Sequence, residues 1–143
     1  MSKKNSPAKS AAGTLMAQDM RAPAFSLLQI VRAGIPTRDL WAFVEATGLP
    51  ETDLLRVIGI SRRTLERRAQ SVLTPLQSDR LARIKRIFDL TVYSLGDATR
   101  ARGWLVARNR ALNGDLPLDL LDTDAGTRMV ETILGRIRHG IFS

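Results

Sequence analysis

The chain has no cysteine, one histidine, one tyrosine and two tryptophans in 143 residues. Without cysteine it forms neither a disulfide nor a thiolate metal site, and such usage is compatible with a reducing cytoplasm. The single histidine, His139, reads as a capping or surface group near a helix end rather than as a metal ligand. No apolar run approaches the roughly 18 residues that a membrane span requires. The lysine-bearing N-terminus lacks the apolar stretch of a secretory signal. There is no glycine-rich phosphate loop and no pair of carboxylates at catalytic spacing, which argues against an enzyme. Asp115, Asp119, Asp122 and Asp124 lie close in sequence, but they lack the calcium-loop pattern and its bidentate glutamate. Helix capping and charge balance explain them, so neither a metal nor a cofactor is expected.

What is abundant is positive charge. The formal net charge is +8, and hydrophobic residues make up 44% of the chain, enough for a packed core. The charge is unevenly spread. Residues 56–96 hold nine Lys and Arg against three Asp and Glu, whereas 113–143 hold three against five. A basic centre with a mildly acidic end points to a polyanion contact in the middle of the chain, most simply nucleic acid. A solvated basic surface is the plain alternative.

Apolar residues recur at helical spacing and no useful strand alternation occurs, which predicts an all-α fold. Residues 1–22 are rich in Ser, Ala and Lys and read as a flexible arm. From Pro23 a first helix carries Phe25, Leu28 and Val31 or Arg32 at three- and four-residue steps and stops at Gly34. Thr37 is placed as the N-cap of a second helix bearing Leu40, Trp41, Phe43 and Val44, with both aromatic rings in the core, and Gly48 ends it.

Residues 51–70 carry the pattern of a helix-turn-helix. Gly59 separates two short helical segments, where a tight turn favours a residue tolerant of positive φ. Ser61 is a strong N-cap. Ile60 before the cap and Leu65 within the helix have hydrophobic-staple spacing. Leu54, Ile58, Ile60 and Leu65 form the small core between the helices. The pattern resembles the Cro/repressor-like class, except that Leu55 stands where that class places a small residue. On a helical wheel Leu65 and Ala69 face inward. Arg63, Arg67 and Gln70 point away, Thr64 and Glu66 flank them, and Arg62 and Arg68 border the buried face. The expected DNA-binding set is Arg62, Arg63, Thr64, Arg67, Arg68 and Gln70. Arg63 and Arg67 read base edges, because the guanidinium fork matches guanine O6 and N7, and Arg62 and Arg68 hold phosphates.

Thr74-Pro75-Leu76-Gln77 then predicts a capping box with proline at N1. The helix it opens carries Leu76, Leu81, Ile84, Ile87, Phe88, Val92 and Leu95, runs about 20 residues or roughly 30 Å, and ends at Gly96. Arg80, Arg83, Lys85 and Arg86 make its early half basic, fit to frame a DNA-facing surface. Asp97 caps the next helix, with Trp104 as a core anchor, and Asn109 and Asn113-Gly114 break the pattern. Leu116-Pro117 opens a short helix. Thr123 caps the last one, whose apolar face is Met129, Val130, Ile133, Leu134 and Ile137, and Gly140 follows as a left-handed terminator.

The order Leu112-x-Gly114, Pro117-Leu118-Asp119-Leu120-Leu121, Thr123, Gly126, Val130, Leu134, Arg136-Ile137 and His139-Gly140-Ile141 resembles the Xre/MbcA/ParS-like antitoxins, partners of RES-domain toxins in type II toxin–antitoxin pairs. The upstream Ser61, Thr64-Leu65 and Arg67-Arg68 are similar to the DNA-binding half of that family. The resemblance covers about residues 24–143. Asn113 departs from it, standing where the family often shows glycine. The resemblance implies a non-enzymatic protein that binds an NAD-consuming RES toxin with its C-terminal module, obstructs the toxin's active-site cleft, self-associates as a homodimer or higher assembly with the toxin, and represses its own operon by binding operator DNA. The residues matching the toxin-facing end are Arg136, His139, Gly140, Ile141, Phe142 and Ser143.

The expected organisation is thus a flexible arm at 1–22, a helix-turn-helix DNA-binding domain at 23–73 and a helical toxin-binding domain at 74–143 with the capacity to dimerise. In this reading the last helix is a stalk, Gly140 releases the chain, and the short end through Ser143 plugs the toxin cleft. The competing reading is a stand-alone cytoplasmic regulator whose C-terminal helices only dimerise.

Overall fold

The computed structural model describes residues 24–67 and 71–140. The described residues form seven helices: α1 (Ala24–Ala33), α2 (Thr37–Thr47), α3 (Glu51–Ile58), α4 (Arg62–Arg67), α5 (Pro75–Leu95), α6 (Ala98–Leu105) and α7 (Asp124–Arg138). Two 3-10 turns, Arg110–Leu112 and Pro117–Asp122, lie between α6 and α7. The described residues contain no strand, only an isolated antiparallel bridge between Pro36 and Val72. The fold is all-α, with a helix-turn-helix region first and a helical region after it, as expected.

The long helix α5 organises the molecule. Its start is fixed by the capping box: the Thr74 hydroxyl accepts from the Gln77 amide at 3.1 Å, and the Gln77 side chain accepts from the Thr74 amide at 3.0 Å. Each bond satisfies a backbone donor that the helix leaves without an internal partner. The helix runs 21 residues and stops at Gly96, whose φ of 106° suits a residue without a Cβ. Its buried residues include Leu81, Ala82, Ile84, Lys85, Ile87, Phe88 and Thr91. Adjacent positions are buried, so no single stripe faces the core and more than one flank is covered. α1, α3, α6, α7 and the Pro117–Asp122 turn all pack against it. Phe88 meets Phe43 of α2 edge to face, with ring centres 6.4 Å apart, a geometry that contributes about 1 kcal/mol beyond burial.

Several local expectations change on packing. Thr37 is not the N-cap of α2. Pro36 occupies that position and makes no side-chain cap. Thr37 is buried in the first turn, its amide donating to the Ser71 carbonyl at 3.0 Å and its hydroxyl to the same oxygen at 3.3 Å. Closure of the chain onto residues 71–73 supplies what a cap would have supplied. Leu76 is 60% exposed and Met129 45% exposed, so both leave the apolar faces assigned to them. Leu76 sits in the first turn of α5, ahead of its first fully buried apolar residue, Leu81. On α7 the buried set is Gly126, Thr127, Val130, Ile133 and Leu134, which leaves Met129 off the covered face. Trp41 and Trp104 are half-buried and pack at the margin of the core.

Gly126 has a packing role that spacing does not reveal. A Cβ there would lie 2.2 Å from the Leu120 carbonyl oxygen, so the first turn of α7 can rest on the Pro117–Asp122 turn only without a side chain. Gly103, inside α6, has nothing within 4 Å of such a Cβ. Gly126→Ala is therefore expected to lower stability by about 1–3 kcal/mol, while Gly103→Ala raises it by roughly 0.5–1 kcal/mol. Urea unfolding of the two variants measures both signs. Equal effects would show that the contact with Leu120 does not constrain the fold.

Candidate functional site

The helix-turn-helix is α3, the turn 59–61 and α4. Leu54, Ile58 and Leu65 are fully buried, and Leu55 and Ile60 nearly so. Gly59 adopts φ 87°, which lets its amide and that of Ile60 both donate to the Leu55 carbonyl, at 2.8 and 3.1 Å. These bonds end α3 and turn the chain. The Ser61 oxygen accepts from the Thr64 amide at 3.0 Å, and its hydroxyl lies 2.9 Å from Thr64 Oγ1. Ser61 is thus the cap of α4. Leu55 is accommodated in the core cluster.

Within α4, Arg62, Arg63 and Arg67 are exposed and Thr64 is half-buried. Ala69 and the two further DNA-binding candidates, Arg68 and Gln70, lie outside the described residues. Arg63 and Arg67 make no ion pair with any described residue, so their charges face solvent. Arg62 is different. It pairs with Glu51 at the start of α3 and with Glu66 one turn on at 3.0 Å, and its guanidinium carbon lies 5.5 Å from the Trp41 ring centre on α2. The hydrogen bonds to Glu66 and then Glu51 raise its pKa above the ordinary arginine value. Arg62 therefore ties α4 to two neighbouring helices, with two carboxylates balancing its charge.

The basic half of α5 is also turned to internal use. Arg80 reaches the Ile58 carbonyl at 3.4 Å, at the C-terminal end of α3. Arg83 bonds Asp79 at 3.1 Å and the Leu121 carbonyl at 2.8 Å. Arg86 pairs with Glu131 of α7, and the nearly buried Lys85 pairs with Asp89. On α3, Arg56 bridges Asp53 at 2.9 Å and Asp119 at 2.6 Å, and these bonds, Asp119 first, raise its pKa. Arg56–Asp119 and Arg83–Leu121 join residues 63 and 38 positions apart. No sequence signal marked either pairing.

The second candidate set sits at the end of α7. Thr123 caps this helix by accepting from the Gly126 amide at 3.0 Å. Val130, Ile133 and Leu134 are buried, and Ile137 is half-buried. The His139 amide donates to the Gly135 carbonyl at 3.0 Å, and Gly140 takes φ 68°, the left-handed terminator its position predicts. Arg136, Arg138, His139 and Gly140 are exposed, and the Arg138 guanidinium lies over the Tyr93 ring at 5.8 Å. Ile141, Phe142 and Ser143 lie outside the described residues. No hydrogen bond or ion pair among the described residues joins the α4 set to the α7 set.

A separate groove of about 340 Å³ lies between α1, α5 and the start of α7, lined by Leu27, Leu28, Val31, Asp79, Ala82, Arg83, Arg86 and Asp124. Its charged walls are engaged, Arg83 with Asp79, Arg86 with Glu131 and Asp124 with Arg128. Among the described residues no group of three His, Cys, Asp or Glu could hold a metal ion, and no helix is long and apolar enough to cross a membrane.

The Ser61 cap holds the exposed arginines of α4 in a helical register. Ser61→Ala is expected to destabilise α4 by about 1 kcal/mol, seen as faster amide exchange over 62–67. Unchanged protection there would show that the cap contributes nothing.

The chain matches two family models. Residues 26–86 match the antitoxin Xre-like helix-turn-helix domain, and residues 90–140 match the antitoxin Xre/MbcA/ParS C-terminal toxin-binding domain. The two segments meet within α5. An antitoxin Xre of Yersinia enterocolitica is 36% identical over 107 residues, covering 73% of this chain and 69% of that one. An antitoxin Xre of Photorhabdus laumondii is 32% identical over 117 residues, covering 80% and 79%. A probable mycobacterial cidal antitoxin of Mycobacterium tuberculosis is 35% identical over 80 residues, covering 54% and 66%. With α3–α4 forming the helix-turn-helix and the segment through α7 forming the toxin-binding part, the chain belongs to the Xre antitoxin family, the antitoxins of Xre-type toxin–antitoxin systems.

Proposed function

We propose that this chain neutralises a RES-domain, NAD-consuming toxin with the end of α7 and represses its own operon through α4. It acts in the cytoplasm by binding and not by catalysis. The observation that carries the first half is the geometry of α7: a 15-residue helix, capped by Thr123 and packed on α5, that leaves Arg136, His139 and Gly140 exposed at its end. A helix held this way has lost its conformational freedom on folding, so docking costs it little further ordering, and it leads into the residues after Gly140. Those residues, Ile141, Phe142 and Ser143, enter the toxin cleft. A fully buried Phe contributes on the order of 2 kcal/mol.

Arg63 and Arg67 are the base readers of operator DNA, flanked by Arg62, Thr64, Arg68 and Gln70. A homodimer, alone or assembled with toxin, would present two such helices to a two-fold operator. The division of labour is an arm at 1–22, a DNA-binding part at 23–73 and a toxin-binding part at 74–143, with α5 supporting both.

Co-expression with the neighbouring gene, followed by co-purification and an NAD-depletion assay, tests the toxin assignment. Deletion of 141–143 is expected to weaken neutralisation at least tenfold, while melting temperature and operator binding stay unchanged; full neutralisation by the truncated chain would sink the plug.

Arg63→Ala and Arg67→Ala should each cost about 1–3 kcal/mol in operator binding and leave toxin binding intact, measured by mobility shift beside a pull-down. Loss of both activities together would indicate misfolding and remove the support for a DNA-reading role.

A further inference from the structure

Tyr93 is the single tyrosine of the chain and, at 75% exposure, the most exposed of its large hydrophobic side chains among the described residues. It stands in the last turn of α5, which ends at Leu95. Arg138, the last residue of α7, has its guanidinium carbon 5.8 Å from the centre of that ring. Seven residues earlier on each helix, Arg86 of α5 pairs with Glu131 of α7. α5 and α7 therefore run side by side in the same direction. Seven residues are two turns, or roughly 10 Å of helix. The Tyr93–Arg138 contact thus closes the seam at the end where the chain leaves α7 through His139 and Gly140.

The fold gains little from this arrangement. A ring three-quarters exposed buries little apolar area, and a cation–π contact in water is weak. The pair is better suited to a partner. Tyrosine and arginine are the residue types that anchor protein interfaces. A tyrosine has few torsions to freeze on docking, and the guanidinium is already held against the ring. The charge that α7 brings here is basic, since residues 132–138 contain Arg136 and Arg138 and no acid, while the acids that flank Tyr93 in the chain, Asp89 and Asp97, are paired with Lys85 and Arg100. The surface is continuous with the exposed end of α7, within the segment 90–140 that matches a toxin-binding domain.

We propose that Tyr93 and Arg138 form a second toxin contact, a shoulder beside the end of α7 that docks on an acidic rim of the toxin. The tyrosine ring fills an apolar slot and the Arg138 guanidinium pairs with a carboxylate. This rests on the reading that the end of α7 faces the toxin, and it adds a contact outside the residues assigned to the cleft.

The test uses the full chain and the protein encoded by the neighbouring gene, purified in an active-site-inactivated form, with affinity measured by calorimetry at low and high salt. Tyr93→Ala is expected to weaken binding about tenfold. Arg138→Gln should weaken it less and flatten its salt dependence. The double variant should lose less than the product of the two, because the residues act as one unit. Melting temperature and operator binding report that the fold is intact. Wild-type affinity and salt dependence in both variants, with deletion of 141–143 still damaging, would overturn the shoulder and leave the plug standing. A change in oligomeric state without a change in toxin affinity would also overturn it, assigning the surface to a second copy of the chain. If the wild-type chain does not bind that protein, the underlying reading fails instead.

Discussion

The burial of α5 on more than one flank is the constraint on which the remaining structure depends. A surface helix hides one stripe and can be covered by one neighbour. α5 buries Leu81 and Ala82, Ile84 and Lys85, and Ile87 and Phe88 in successive pairs, and no single neighbour can cover such a set. α1 and α3 on one side of the sequence, and α6, α7 and the Pro117–Asp122 turn on the other, must all pack against it. The helix-turn-helix and toxin-binding segments therefore share a core instead of being tethered by a linker. The capping box sets where this helix begins, and Gln77 carries that constraint into the helix-turn-helix by donating to the Gly59 carbonyl at 3.3 Å.

A shared core gives the chain two separate exposed ends. One is α4, a short helix kept in place by Ser61 and by the Arg62 contacts to Glu51, Glu66 and Trp41. The other is the end of α7, whose direction is set by the close approach of Gly126 to Leu120 and by the packing of Val130, Ile133 and Leu134. Both surfaces are presented by helices whose positions are fixed from behind. Such preorganisation favours binding, because little remains to be ordered when a partner arrives.

The charge of the chain overstates its free basic surface. Arg56, Arg62, Arg83 and Arg86 all meet carboxylates, Lys85 meets Asp89, and Arg80 and Arg83 also reach backbone carbonyls. Most of these pairs are partly solvated, so each adds little to stability. Their structural consequence is to orient helices. The Arg56–Asp119 bridge, for instance, joins α3 to the turn that carries α7. Arg63 and Arg67 stand outside this bookkeeping of internal pairs.

Local features were legible in the residues themselves. The Thr74–Gln77 capping box, the Ser61, Asp97 and Thr123 caps, the positive-φ glycines 34, 48, 59, 96 and 140, and the helix-turn-helix core of Leu54, Ile58, Ile60 and Leu65 all appear where the spacing put them. Each depends on residues close together in the chain, from one helical turn for the caps to the span 54–65 for the helix-turn-helix core, so local side chains decide it. The partners of the arginines, the exposure of Leu76 and Met129, the displacement of Thr37 from its cap by the closure onto Ser71, and the Tyr93–Arg138 contact were not legible. Those depend on which helices come to lie side by side, and a periodic pattern specifies that a face is apolar without naming what covers it. By itself the sequence determined the helices, most of their ends and the family; only the tertiary packing around α5 decided which charges remain free and which surfaces stand open to a partner.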